Sequence, residues 1–95
     1  MTRHPAQKAV LCAGRFYCDL IFTDLPRLPT LGTEVFAGGL GIHAGGGAFI
    51  TAAHLGMLGH PAALAAMLPG PPFADAIARD LSQAAINVDL CQQLD

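Results

Sequence analysis

Three consecutive glycines, Gly45 to Gly47, lie in the run HAGGGAFITAAHLGMLGHP, His43 to Pro61, in which Asp, Glu, Lys and Arg are all absent. Glycines at the start of a helix let a ligand approach the backbone closely, and the unpaired N–H groups of the first helical turn favour a negative or hydrogen-bonding oxygen there. A binding loop is one reading of the run. A tight turn that lets a buried helix pack closely is the other, and the residues alone leave both open. Nucleotide-loop chemistry fits less well. GLGIHA, Gly39 to Ala44, has the G-x-G-x-x-A spacing, but no strand leads from it directly into a helix and no acidic residue follows before Asp75. A Walker A loop needs Gly-Lys-Ser/Thr, and the only lysine is Lys8.

Other reactive side chains are scattered. His43, His54 and His60 lack the i, i+4 helical spacing of a two-histidine metal site, so they read as structural or solvated histidines. Cys12, Cys18 and Cys91 are an odd count without paired short spacings, which points to reduced thiols and a cytoplasmic location. Cys18 has no base beside it in sequence, and Phe16, Tyr17 and Phe22 read as strand-flanking core rather than pocket walls.

Composition narrows the class. With 95 residues, 53% hydrophobic and 13% charged, the chain is one small globular domain with a thin core. A formal net charge of −2 gives no basic field for phosphate backbones, which argues against nucleic acid as a partner. Between Glu34 and Asp75 there is no Asp, Glu, Lys or Arg at all. A bilayer span needs about 20 apolar residues. The best window, Ala48 to Leu68, holds two histidines, two glycines and Pro61, with no aromatic belt or flanking basic cluster, so no membrane span is expected. The basic N-terminus has too short an apolar stretch for a signal peptide, and the mature chain is expected to begin near Met1.

Alternating elements must position these residues. Ala9 to Gly14, AVLCAG, reads as a buried strand ending in glycine. A proline- and glycine-rich segment follows, with two short extended pieces, Thr33 to Phe36 and Leu40 to His43, expected to pair as a flap. Gly46 to Leu58 is apolar all round, as in a buried helix, and Gly59-His60-Pro61 stops it. Ala62 to Leu68 is expected to be a second buried strand. From Pro72 to Ala84, Phe73, Ile77 and Leu81 fall at i, i+4, i+8, which predicts an amphipathic helix. The alternation of INVDL, Ile86 to Leu90, predicts a third strand. The order strand, flap, helix, strand, helix, strand implies an α/β fold with parallel strands and right-handed crossovers.

GGGAFITAAHLGMLG, Gly45 to Gly59, resembles the N-terminal signature of the PfkB-type carbohydrate kinases, the ribokinase-like family, in which Gly-Gly-x-Gly/Ala-x-Asn opens a helix closed by a Leu-Gly pair. AGRFYCDLIF is similar to the family's first strand with its following aspartate, here Asp19. DLPRLPTLGTEVFAGG resembles the lid segment, about residues 24–44, and the remainder resembles the second strand, second helix and third strand. The resemblance thus covers residues 1–95 as the N-terminal part of one kinase domain, a β-flap-α-β-α-β portion of a Rossmann-like sheet. It implies an acceptor-binding role in ATP-dependent phosphorylation of a sugar or nucleoside, with Asp19, Gly45, Gly46 and the position of Ile50 as substrate contacts. Without the family, Asp19 reads as a solvated turn residue or helix-cap surrogate. A carboxylate accepts two hydroxyls, and glycine backbone meets others without obstruction.

Three departures qualify that role. Ile50 stands where the family has asparagine. Pro69-Gly70-Pro71-Pro72-Phe73-Ala74 replaces Gly-x-Asp-x-x-Gly, so a carboxylate is missing. Finally, the family's Asp-Thr-x-Gly-Ala-Gly-Asp segment, which supplies base, phosphate donors and nucleotide pocket, has no counterpart, and Asp75, Asp80, Asp89 and Asp95 lie in other contexts. No catalytic residue, metal ligand or cofactor site is therefore assigned to this chain; ATP and Mg²⁺ are implied only for a complete family domain. The expected partners are a small sugar or nucleoside, and either a second copy in a homodimer or a missing C-terminal half. A truncated or split kinase, inactive alone, and a non-catalytic α/β binding or interaction module both remain open.

Overall fold

Val10 to Ala13 forms the first strand, β1, and it is the parallel neighbour of β4, Ala62–Ala65, from Val10 opposite Ala62 to Ala13 opposite Ala65. These pairings belong to a computed structural model that describes residues 8–94. Met1, with the expected start of the mature chain, lies outside the described residues. Val10 N–H donates to the Pro61 carbonyl at 3.0 Å and Gly14 N–H to that of Ala65 at 3.2 Å, so the ladder runs from end to end of both strands.

Between β1 and the first helix the chain builds an antiparallel hairpin. Its strands are β2, Tyr17–Thr23, and β3, Gly39–Gly45, paired from Tyr17 opposite Gly45 to Thr23 opposite Gly39. A flap was expected, but between Thr33–Phe36 and Leu40–His43; the structure replaces the first of these with β2. The physical reason lies in both segments. Tyr17-Cys-Asp-Leu-Ile-Phe-Thr is rich in β-branched and aromatic residues that suit a pleated surface. Thr33 and Glu34 instead form a loop, in which Thr33 N–H donates to the Thr30 carbonyl at 3.3 Å and Arg27 donates to the Glu34 carbonyl at 3.2 Å. The hairpin therefore begins at Tyr17.

Helix α1, Gly47–Met57, follows the hairpin within a residue or two of the expected bounds. Only one of its faces is covered. Phe49 and Ala52 are buried, whereas Ile50, His54, Met57 and Leu58 are exposed, which corrects the expectation of burial on every side. The expected strand Ala62 to Leu68 is present but interrupted at Ala66, giving β4 and a short β5, Met67–Leu68. Helix α2, Phe73–Gln83, buries Ile77 as its apolar spacing requires, and its Leu81 packs against the cluster of Phe49, Leu64 and Ala84.

The third strand is displaced. Asn87 makes a single parallel bridge to Ala63, and pairing resumes only at β6, Gln92–Gln93, beside β5. The Asn87 side-chain oxygen accepts the Asp89 N–H at 2.8 Å, and Cys91 N–H donates to the Val88 carbonyl at 2.9 Å. A local asparagine turn of this kind competes with the ladder, so the alternation of Ile86 to Leu90 does not become a strand. The middle of the molecule is β4, with β1 on one edge and the Asn87 bridge on the other. Leu64 at its centre is fully buried, packed with Phe49 and Ala84, while Cys12, Ala52 and Ala62 form the adjoining cluster.

Candidate functional site

The hairpin has two chemically different faces because side chains alternate along a strand. Cys18, Leu20 and Phe22 share one face with Leu40, Ile42 and Ala44. Tyr17, Asp19, Ile21 and Thr23 share the other with Gly39, Gly41, His43 and Gly45. On that second face the glycines leave room for the polar groups of their neighbours. The Asp19 carboxylate lies over Gly45: a β-carbon there would stand 2.9 Å from its Cγ and 3.3 Å from Oδ1. Gly45 is thus a close-approach position, and the side chain it accommodates is the candidate acceptor-binding carboxylate.

Gly46 turns the chain from β3 into α1. Its φ of 95° lies where residues with a β-carbon are strained, and an added β-carbon would stand 2.5 Å from the Arg15 carbonyl oxygen. It caps α1 with no side-chain hydrogen bond, and the first turn carries no acidic residue. The amides of that turn therefore remain available to an oxygen brought from outside. Ile50 N–H donates to the Gly46 carbonyl at 2.9 Å, and the Ile50 side chain is half exposed one turn into the helix. Asp19, Gly45 and Gly46 thus come together at the junction of hairpin and helix, with Ile50 on the following turn. Beside the junction an open groove of about 550 Å³ runs along β1, lined among others by Gly14, Arg15, Gly47, Ala48 and Thr51.

One contact at this junction was invisible as a site in the sequence. Asp80, on α2, accepts the Ala44 backbone N–H at 2.8 Å, and His43 Nδ1 lies 3.3 Å from the same oxygen. The two partners lie 36 and 37 residues from Asp80 along the chain, so no local pattern marks the contact.

Three solved structures show what this arrangement resembles. A protein assigned as a ribokinase from Agrobacterium tumefaciens superposes with a TM-score of 0.73 at 25% identity, over 93% of this chain and 28% of its own. The nucleoside kinase of Methanocaldococcus jannaschii, a ribokinase-family member, gives 0.72 at 23% over 92% and 29%. The Cryptococcus neoformans var. grubii serotype A ribokinase in complex with ADP gives 0.71 at 19% over 94% and 27%. The chain has the N-terminal part of the ribokinase fold. It spans little more than a quarter of the length of those ribokinase-like structures. No family model matches the sequence, and no curated protein matches it.

Among these similar structures, the Cryptococcus neoformans ribokinase is in complex with ADP and a Xylella fastidiosa fructokinase has bound ATP. The groove beside Gly14 and Gly47 is lined by no lysine and no carboxylate, and its one charged side chain is Arg15. Among the described residues no group of three or more His, Cys, Asp or Glu side chains could hold a metal ion. Nor is any helix of the described residues long and apolar enough to cross a membrane.

Proposed function

We propose that this chain supplies the acceptor-binding part of a PfkB-type kinase acting on a sugar or nucleoside. The observation that carries the reading is the Asp19 carboxylate laid over Gly45 at the point where β3 turns into α1. In this role Asp19 accepts two neighbouring hydroxyls of the acceptor, and the backbone at Gly45 and Gly46 approaches a third oxygen unobstructed. Ile50 presents an apolar surface where the family's asparagine would offer an amide, so the acceptor has a less polar edge on that side. The γ-phosphoryl donor, its metal and the base are brought by residues outside this set, ATP and Mg²⁺ being those of a complete family domain. Cys12, Cys18 and Cys91 are free, which supports a reducing, cytoplasmic setting.

Calorimetric titration with a panel of pentoses, hexoses and nucleosides tests the site. At least one panel member binds the wild-type chain, and Asp19→Ala weakens it by about 1.5–3 kcal/mol, the worth of a hydrogen bond to a charged group. An affinity unchanged in Asp19→Ala would remove Asp19 from the site. Binding of no panel member would favour the alternative, a non-catalytic module that keeps the fold.

A further inference from the structure

We propose that Asp80 is a positioning residue, a latch that fixes the hairpin against the body and so sets where Asp19 stands relative to α1. The inference rests on the acceptor-site reading for its consequence, but its structural content is independent of it. The hairpin joins the rest of the molecule through two short backbone connections, residues 14–16 and the Gly45-Gly46 turn. Among the described residues, the side-chain hydrogen bonds between hairpin and body are both made by Asp80. One is to the Ala44 N–H, the residue immediately before Gly45. The other is to His43, the direct cross-strand partner of Asp19.

The geometry is that of a two-point grip. An amide that points away from β2 is an unpaired edge donor of β3, and a carboxylate accepting it is a charge-assisted bond. With Nδ1 turned to Asp80, the His43 ring lies across the polar face with Nε2 over Gly41, where a β-carbon would stand 3.2 Å away. The ring thereby flanks the strand position opposite Asp19 on the same face. Ala44 also packs against the core cluster of Phe49 and Leu64, so the gripped residue is where the hairpin roots in the core. Asp80 is only partly exposed, at 27%, whereas His43 is exposed at 57%, so the carboxylate is the fixed member and the hairpin the held one.

Hydrogen exchange read by mass spectrometry on the 95-residue chain tests the latch, with Asp80→Ala, Asp80→Asn, His43→Gln and a control, Asp75→Asn. In Asp80→Ala, peptides over 17–23 and 39–45 exchange roughly tenfold faster, while those over 10–13 and 62–65 keep wild-type rates. Asp80→Asn falls between, because its amide oxygen still accepts the Ala44 N–H, and His43→Gln produces a smaller change confined to the hairpin. Asp75→Asn, which removes a charge from the same helix, changes nothing. D-ribose and adenosine serve as acceptor probes in parallel, and whichever binds wild type binds Asp80→Ala more weakly with partial recovery in Asp80→Asn. Hairpin exchange equal to wild type in Asp80→Ala overturns the latch. Loss of protection spread equally over β1 and β4 overturns it too, by showing a general destabilisation. A wild-type chain that binds neither probe nor any other member of the acceptor panel counts against the acceptor site, and the exchange pattern then decides the latch by itself.

Discussion

Asp19 and Gly46 show how single residues set this site. The carboxylate occupies space that exists because Gly45 has no side chain, and Gly46 turns the backbone where any other residue would be strained. Replacing Gly46 with alanine forces a β-carbon against the Arg15 carbonyl oxygen and holds φ in a region open almost only to glycine. The backbone strain alone costs about 1–3 kcal/mol. Gly46→Ala therefore lowers the urea midpoint of the chain, and whatever acceptor binding remains weakens further because the first helical turn shifts. A variant with wild-type midpoint and wild-type affinity would show that the turn relaxes without disturbing the site.

At the scale of elements, everything converges on β4. It is sandwiched between β1 and the Asn87 bridge, and it carries the fully buried Leu64 under α1 and the turn after α2. Leu64→Ala leaves a cavity where no neighbour can easily collapse, at a cost of about 2–5 kcal/mol. Set against a typical total stability of about 5–15 kcal/mol, such a loss is a large fraction of the whole and lowers the urea midpoint accordingly. Helical circular dichroism in urea measures it, with Leu31→Ala as a neutral comparison because that side chain is fully exposed. Equal midpoints for the two variants would mean that β4 is not the organising strand.

At the scale of the whole molecule, much apolar surface lies open. Its radius of gyration of 17.3 Å exceeds the roughly 12 Å of a compact domain of this length. β1 is paired with β4 and no other strand among the described residues, and Leu11, Leu20, Phe22, Leu40 and Met57 lie exposed around it and along the hairpin and α1. Parallel sheets are normally covered on both faces, and unpaired edges template association. The chain alone therefore self-associates, seen as species heavier than the monomer in sedimentation velocity, and it binds a hydrophobic-surface dye. A monodisperse monomer that unfolds cooperatively would point to an independent module. Activity follows the same logic. General-base help alone is worth about 10²–10⁴-fold, and on the acceptor-half proposal the base and the triphosphate site come from residues outside this chain. With ATP, magnesium and the acceptor panel, the chain alone releases no acceptor-dependent ADP. Release after adding the C-terminal half of a related kinase would support a split enzyme, and release by the chain alone would overturn the acceptor-half reading.

Much of this was legible in the residues because it depends on local rules. The limits of β1, α1 and α2 follow from apolar spacing and from Gly14, Gly59 and Pro72, which act within a few positions along the chain. The resemblance to the ribokinase-like family rested on the spacing from Gly45 to Gly59, and the fold agrees with it. Strand partnership was not legible in the same way. Tyr17 to Thr23 and Thr33 to Phe36 both offer β-forming residues, and the choice of Gly39 to Gly45 as partner for the first depends on which pairing lets the hairpin root at Ala44. The fate of Ile86 to Leu90 turned on one side chain, Asn87, whose bond to the Asp89 amide outweighs an alternating pattern. The Asp80 contact with His43 and Ala44 belongs wholly to the tertiary structure, because only the packing of α2 against β3 brings a helical carboxylate to a strand amide 36 residues away. Local geometry is written in neighbouring residues, whereas pairing and long-range grip are decided by which surfaces can be buried together.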